Sequence, residues 1–177
     1  MKETKPPIRK YLDIYSQAYS MLEDRTPVMY DCGNLCSSAC CSDNGLGMLL
    51  FPYEEVYIAS LNNDFSIKNS NIIINGYTVQ LLNCKGICNR KVRPLACRIF
   101  PLFPYVYEDN RISVKFDTRA AGTCPLLLTD LDGIYMSGVF RLMVYKTALA
   151  LIDDPLIRAY LIHLTKELET IGSFQSG

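Results

Sequence analysis

The sequence has little of the chemistry on which most enzymes depend. Its 177 residues contain one histidine, His163, and they contain neither a glycine-rich phosphate loop nor the serine of a hydrolase nucleophile elbow. The acidic pairs Glu54–Glu55 and Asp153–Asp154 are typical of a helix start and a helix cap, so they do not form an acid and base set. His163 lies far along the chain from every cysteine, and we expect it on a helix without a metal.

The sequence also lacks net charge and long apolar runs. Its 18 basic residues balance 18 acidic ones, so no global field would attract nucleic acid or an anionic membrane. No apolar stretch typical of a secretory signal follows the charged start at residues 1–7. The most apolar segment, Leu142–Ile152, contains Lys146 and is far shorter than the ~20 residues of a membrane span. We therefore expect a cytoplasmic protein without membrane or nucleic-acid partners, whose protein partner and oligomeric state the sequence does not indicate.

The composition is that of a globular domain, with 49% hydrophobic and 20% charged residues. The length predicts one domain over residues 1–177, with a motif region at 31–126 and C-terminal helices at 131–171 packed on it. Apolar residues at helical spacing predict an N-terminal helix over Ile8–Leu22. A second, short helix is expected over Glu54–Leu61.

Two hairpins and two further helices complete the prediction. Asn75-Gly76 between β-branched runs indicates a hairpin over Asn71–Leu82, and a second hairpin is expected over Pro104–Phe116. The segment Leu131–Ile152 is apolar nearly all round, as a buried helix would be. Asp154 with Pro155 after it predicts the cap of a last helix that stops at Gly172. The fold class is therefore α+β, with an irregular cysteine-rich metal-binding core, two hairpins, an N-terminal helix and a C-terminal helical pair.

The eight cysteines are the feature that does point to chemistry. They form two tight groups and one outlier, namely Cys32, Cys36, Cys40 and Cys41, then Cys84, Cys88 and Cys97, then Cys124. Thiols in the cytoplasm are kept reduced, so clustered cysteines there bind metal more often than they form disulfides. Soft sulfur ligands select zinc, copper(I) or iron–sulfur clusters.

The spacing of the first group limits how its sulfurs can be shared. In one straight helix Cys32 and Cys40 would be about 12 Å apart, whereas two sulfurs on one tetrahedral zinc lie about 3.8 Å apart. Either Gly33 and the serines let the chain curl, or the cysteines divide between centres, or between a cluster and free thiols. Because neighbouring side chains diverge, we expect one of Cys40 and Cys41 to be the firmer ligand, and the sequence does not indicate which.

The second group lies in a basic segment. Residues 84–98 contain five cations and no acid: Lys85, Arg90, Lys91, Arg93 and Arg98. Positive charge would lower the pKa of the thiols and balance an anionic thiolate centre. Two roles are open for Arg93 and Arg98. They could donate hydrogen bonds to cluster sulfurs or to an anionic substrate, or they could be structural partners of Glu54 or Glu55.

These residues resemble a known family. The first group is a cysteine head that ends in a Cys-Cys pair. It is followed by Arg93-Pro94-Leu95-Ala96-Cys97-Arg98-Ile99-Phe100-Pro101 and by a late Cys124-Pro125. This arrangement resembles that of the CxxCxxCC proteins, which are YkgJ-like putative zinc- or iron-chelating proteins. The similarity covers about half of the chain. In the first group the gaps are three residues instead of two, and the tyrosine that the family tends to carry is absent from residues 89–91. The resemblance implies metal or iron–sulfur binding and no particular reaction.

Three functions follow as expectations. The first is an iron–sulfur protein with a redox or maturation role, with Cys84, Cys88 and Cys97 providing most ligands and at least one more from Cys36, Cys40 or Cys41. The second is a structural zinc module whose working surface lies elsewhere. The third is a metalloenzyme of unknown substrate, in which Arg98 lies beside an open metal position.

Overall fold

The computed structural model describes residues 8–30, 32–41, 47–61, 65–83, 90–127 and 136–175. The fold is α+β, as predicted. The helices are α1 (Ile8–Met21), α2 (Gly33–Cys36), α3 (Glu54–Ser60), α4 (Leu95–Ile99), α5 (Gly138–Leu151) and α6 (Pro155–Gln175). The strands are β1 (Met48–Leu49), β2 (Ser66–Ile74), β3 (Tyr77–Asn83), β4 (Leu102–Val106) and β5 (Ile112–Phe116).

Both predicted hairpins are confirmed. The first is β2–β3, in which Ile74 pairs with Tyr77 across a two-residue turn. Asn75 and Gly76 have φ values of 49° and 83°, the left-handed conformation that a type I′ turn requires. β1 adds to the other edge of β3, and β4 and β5 form a separate two-stranded sheet.

The last helix begins as predicted and ends later. The Asp154 carboxylate accepts hydrogen bonds from the amides of Leu156 and Ile157, which is the geometry of an N-cap. The predicted stop at Gly172 is wrong, because α6 continues to Gln175. A Cβ at Gly172 would lie 3.1 Å from Thr118 Cγ2, so the glycine permits close packing on a neighbouring turn.

The buried core is made of aromatic and aliphatic side chains. One cluster joins α1, the strands, α4, α5 and α6, and its large members include Tyr15, Phe51, Leu95, Phe140 and Tyr160. A cysteine-rich core is not shown, since no cysteine whose side chain the structure describes is buried. Packing of large apolar side chains therefore supports the fold, and the described cysteines lie at its margin.

The prediction that the helix before Ile152 is buried all round is wrong. α5 packs one face on the core, but Val139, Leu142, Tyr145 and Leu149 are 39–52% exposed on the other. Within the described part of the chain, no helix is long and apolar enough to cross a bilayer.

Candidate metal centre

Four cysteines from three stretches of the chain line one small cavity. They are Cys32, Cys40, Cys97 and Cys124, and the cavity has a volume of about 40 Å³. Cys32 precedes α2, Cys40 lies in the turn Ala39–Cys41, Cys97 is on α4, and Cys124 follows the turn Thr118–Ala120. Sequence separations of up to 92 residues are thus closed by the tertiary fold.

The motif that carried the family resemblance also faces this cavity. Five of its nine residues contribute to the wall, namely Arg93, Cys97, Arg98, Phe100 and Pro101. The main-chain amide of Asp117 donates to the Pro101 carbonyl at 2.9 Å, and the amide of Cys124 donates to Ala120 at 2.9 Å. These two bonds fix the outlying cysteine beside the motif.

The first cysteine group curls through its serines. α2 ends at Cys36, and Ser37 and Ser38 both have left-handed backbone conformations, with φ of 50° and 57°. Of the alternatives left by the spacing, the structure has the curled chain, and both Cys32 and Cys40 reach the cavity wall. A straight helix would separate them by about 12 Å.

The expectation that neighbouring cysteines diverge is wrong. The sulfur atoms of Cys40 and Cys41 lie 3.9 Å apart, close to the separation of about 3.8 Å between two thiolates on one tetrahedral zinc. Two consecutive left-handed serines followed by a tight turn place both thiols on the same side of the chain. Cys40 lines the cavity and Cys41 lies next to it.

Arg98 is almost fully buried, and it binds main-chain carbonyls. Its Nε donates to the Arg93 carbonyl at 2.8 Å, and its Nη2 donates to the carbonyls of Arg90 and Lys91 at 2.9 and 2.8 Å. The guanidinium also lies 4.4 Å from the centre of the Tyr19 ring. The partners predicted for this arginine were Glu54 and Glu55; among the described residues, it forms no ion pair with a carboxylate.

The environment of Arg98 shifts its pKa. Burial lowers the pKa of the guanidinium below the usual arginine value, and the nearby Arg90 acts in the same direction. An arginine nevertheless keeps its proton throughout the physiological range. The cavity wall therefore carries a fixed positive charge next to Cys97.

Arg90 ties this segment to the chain that leads into the first cysteine group. Its Nη2 donates to the Arg25 carbonyl at 2.5 Å, and its Nε donates to the Glu23 carbonyl at 3.2 Å. Pro27, two residues beyond Arg25, lines the cavity. The two arginines together crosslink the end of α1, the segment before α4, and α4 itself.

Glu54 was predicted to start a helix, and it does so as the first residue of α3. Its second role, as a buried hydrogen-bond acceptor, was not predicted from the sequence. Its carboxylate is fully buried and accepts hydrogen bonds from Tyr19 Oη at 2.7 Å, Leu95 N at 2.6 Å and Phe51 N at 3.0 Å. Burial raises the pKa of this carboxyl, and the three hydrogen bonds oppose that shift. The signal available in the sequence was the i, i+4 spacing of Glu54 and Ile58, which puts both on one helix face.

The donor set fits a soft metal in chemistry, while the described atoms do not form a closed coordination shell. Four thiols share one cavity with a fixed cation, and thiolates bind zinc and iron–sulfur clusters. Among the described residues, however, no three His, Cys, Asp or Glu side chains are close enough to hold one ion. Cys84 and Cys88 lie outside the described residues, as does the side chain of Cys36. His163 lies on α6, where its Nε2 is 3.3 Å from Glu167 Oε1.

Comparisons with known proteins add no identity. The resemblance to the CxxCxxCC proteins therefore stays a prediction from the motif residues. No protein-family model, no curated protein and no solved structure matches this chain.

Proposed function

We propose that this protein holds a metal centre on clustered thiolates, with an iron–sulfur cluster in a redox or maturation role as the first candidate. The observation that carries the proposal is the buried Arg98 guanidinium, 5% exposed, in the wall of a cavity that four cysteines line. Family resemblance and the basic segment around Cys97 support the same conclusion.

The buried Arg98 guanidinium needs a counter-charge. Buried charged groups are normally paired, because transferring an isolated ion from water into the protein interior is costly. Main-chain carbonyls solvate the guanidinium but do not neutralise it, and the Glu54 carboxylate acts on it without forming an ion pair. Thiolates in the adjacent cavity would supply the negative charge, and the guanidinium would in turn favour the ionised form of Cys97.

The residues proposed as ligands are Cys32, Cys40, Cys97 and Cys124, with Cys36, Cys41, Cys84 and Cys88 as further thiols of the two groups. An iron–sulfur cluster would supply one-electron chemistry when bound. The protein's part is to deliver thiolates from separate segments and to balance their charge with Arg98, while Phe100, Pro101 and Leu126 exclude water from one side of the cavity.

A single zinc ion is the second candidate, because four thiolates would complete the tetrahedral shell that zinc takes in structural sites. An enzymatic role for Arg98 in substrate binding has less support, because its described hydrogen bonds already go to carbonyls of its own loop.

The test is the ultraviolet–visible spectrum of protein purified without oxygen, with iron and zinc measured on the same sample. We expect a broad absorption band in the violet with several irons per chain; colourless protein with one or two zincs would select the second candidate. Cys97→Ser should lose most of the metal. Wild-type protein without iron or zinc would refute the proposal.

A further inference from the structure

The cysteine on α4 depends on a buried contact that the metal hypothesis does not itself require. Leu95 is the first residue of α4, and its main-chain N–H donates to Glu54 Oε1 at 2.6 Å. Cys97 lies two residues further along the same helix, which has only five residues. Because a helix of this length has little internal hydrogen bonding, its position depends on contacts with other parts of the chain.

Glu54 is fixed from two other directions. Its Oε2 accepts from the amide of Phe51 at 3.0 Å, and Oε1 also accepts from the hydroxyl of Tyr19 on α1 at 2.7 Å. The carboxylate thus connects α1, the turn before α3, and α4 at one fully buried point. All three partners are donors, which matches a group with two acceptor oxygens and no proton of its own.

The same point also locates Arg98. Its guanidinium lies over the ring of Tyr19, whose hydroxyl the carboxylate holds. Glu54 Oε1 therefore contacts both Leu95, which is on the helix of Cys97, and Tyr19, which packs against Arg98. Outer contacts of this kind orient ligands and tune metal affinity.

We infer that Glu54 is a positioning residue for the Cys97 thiolate, acting through the amide of Leu95 and the hydroxyl of Tyr19. The inference rests on the proposed function in that Cys97 is taken as a ligand. Glu54 touches no cysteine itself in the described structure; it sets where α4 begins. Removing its double acceptor should displace Cys97 relative to the cavity while the rest of the fold remains.

The variant is Glu54→Gln, and Glu55→Gln is its matched control. Leu95 N and Phe51 N bind different oxygens of Glu54, so a glutamine must turn its NH2 group toward one of these two amides. Glu55 is the adjacent carboxylate, and it accepts from Tyr77 Oη on β3, at 3.1 Å to each oxygen. The two variants make the same chemical change, one on the contact to α4 and the other on a contact to the sheet.

The first readout uses Co²⁺ as a spectroscopic probe for the thiolate site. Glu54→Gln should weaken Co²⁺ binding about tenfold or more and alter the visible ligand-field bands. Glu55→Gln should bind within threefold of the wild type with unchanged bands. Equal bands and affinity in Glu54→Gln and wild type would overturn the inference. Wild-type protein that binds no Co²⁺ would count against the proposed function instead.

The second readout needs no metal and so decides the inference separately. Alkylation of metal-free protein by iodoacetamide, mapped by peptide mass spectrometry, gives a rate for each cysteine. In Glu54→Gln the rate at Cys97 should change at least threefold, while the rate at Cys124 stays within twofold. Unchanged reactivity at Cys97 would overturn the inference. Glu54→Asp keeps both oxygens but retracts them by one methylene, and it should shift Cys97 in the same way if the glutamine variant does not fold.

Discussion

At the scale of single residues, the two buried ionisable groups Glu54 and Arg98 are accommodated differently. Glu54 is surrounded by donors, two of them main-chain amides that cannot be satisfied otherwise without moving the backbone. Arg98 is surrounded by carbonyls and an aromatic face. Neither is in an ion pair within the described chain, so each charge depends on directed hydrogen bonds, whose loss leaves buried groups unsatisfied.

Replacement of Arg98 should therefore be costly even without metal. In Arg98→Met the carbonyls of Arg90, Lys91 and Arg93 lose a charged donor, and hydrogen bonds to charged groups contribute about 1.5–3 kcal/mol each. We expect the free energy of unfolding to fall by roughly 2–4 kcal/mol, measured by urea titration. Arg98→Lys should lie between, since an ammonium cannot reproduce the planar fork.

Arg111→Met is the control for this prediction. Arg111 also lies over a tyrosine ring, at 4.2 Å from the centre of Tyr107, and it pairs with Asp109 at 3.6 Å. Both side chains of that pair are 65% exposed, so its loss should change the free energy of unfolding by less than about 0.5 kcal/mol. Similar losses in the two variants would show that burial of Arg98 contributes little.

At the scale of elements, the start of α6 combines a helix cap with an ion pair. Asp154 accepts two amides of the first turn, and its Oδ2 is 2.6 Å from Lys10 Nζ on α1. Burial alone would raise the pKa of this carboxyl, but the bonds from Lys10 and from the two amides outweigh burial and hold the pKa below 3.8. The contact joins the start of α6 to α1.

The contribution of Asp154 to the stability of the fold should therefore be lost in acid. A carboxyl whose pKa is lower in the folded state stabilises the fold above its unfolded pKa of 3.8, and the contribution disappears as the pH falls through the folded pKa. Asp154→Asn keeps the cap and removes the charge, so it should cost about 1 kcal/mol at about pH 7 and less at about pH 2. Urea midpoints at the two pH values measure this. An equal cost at both would contradict it.

Asp154→Ala separates the cap from the charge. It removes both contributions, so it should be less stable than Asp154→Asn by a further amount of about 1 kcal/mol at either pH. No difference between the alanine and asparagine variants would show that the first turn of α6 is held by packing alone.

At the scale of the whole molecule, α5 shows how packing divides a uniformly apolar helix. Leu151 is 2% exposed and belongs to the core cluster, whereas Leu142 is 49% exposed on the same helix. Leu151→Ala should lower the free energy of unfolding by about 2–5 kcal/mol because it opens a cavity. Leu142→Ala should cost less than about 1 kcal/mol. Urea unfolding of the pair measures the difference, and equal effects would place Leu142 in a buried contact.

The convergence of cysteines is also a property of the whole molecule. Cys32 and Cys124 are brought to one cavity by elements that contain no cysteine, namely the packing of α1, β4 and the turn after β5. The arginine contacts to the end of α1 and the Asp117 contact to Pro101 complete the arrangement. A metal bound there would join segments that the core already holds near one another, which predicts modest rather than complete loss of fold on its removal.

The sequence by itself determined the elements with strong local signals. The Asn75-Gly76 turn requires left-handed backbone that few residues adopt, and the Asp154 cap satisfies amides within its own first turn, so both follow from neighbours in the chain. The α+β class and the choice of cysteines as the chemically informative residues came from composition and spacing. Because each of these signals is contained in a few consecutive residues, no tertiary contact was needed to read it.

Only the tertiary structure decided what depends on distant residues. The short helix α4, the carbonyl partners of Arg98 and the buried role of Glu54 arise from contacts between residues 5 to 79 positions apart. The exposed face of α5 and the passage of α6 through Gly172 likewise depend on which surfaces meet. The sequence therefore named the cysteines, and long-range packing decided which of them share a cavity, since cavity walls are formed by side chains that the chain order does not bring together.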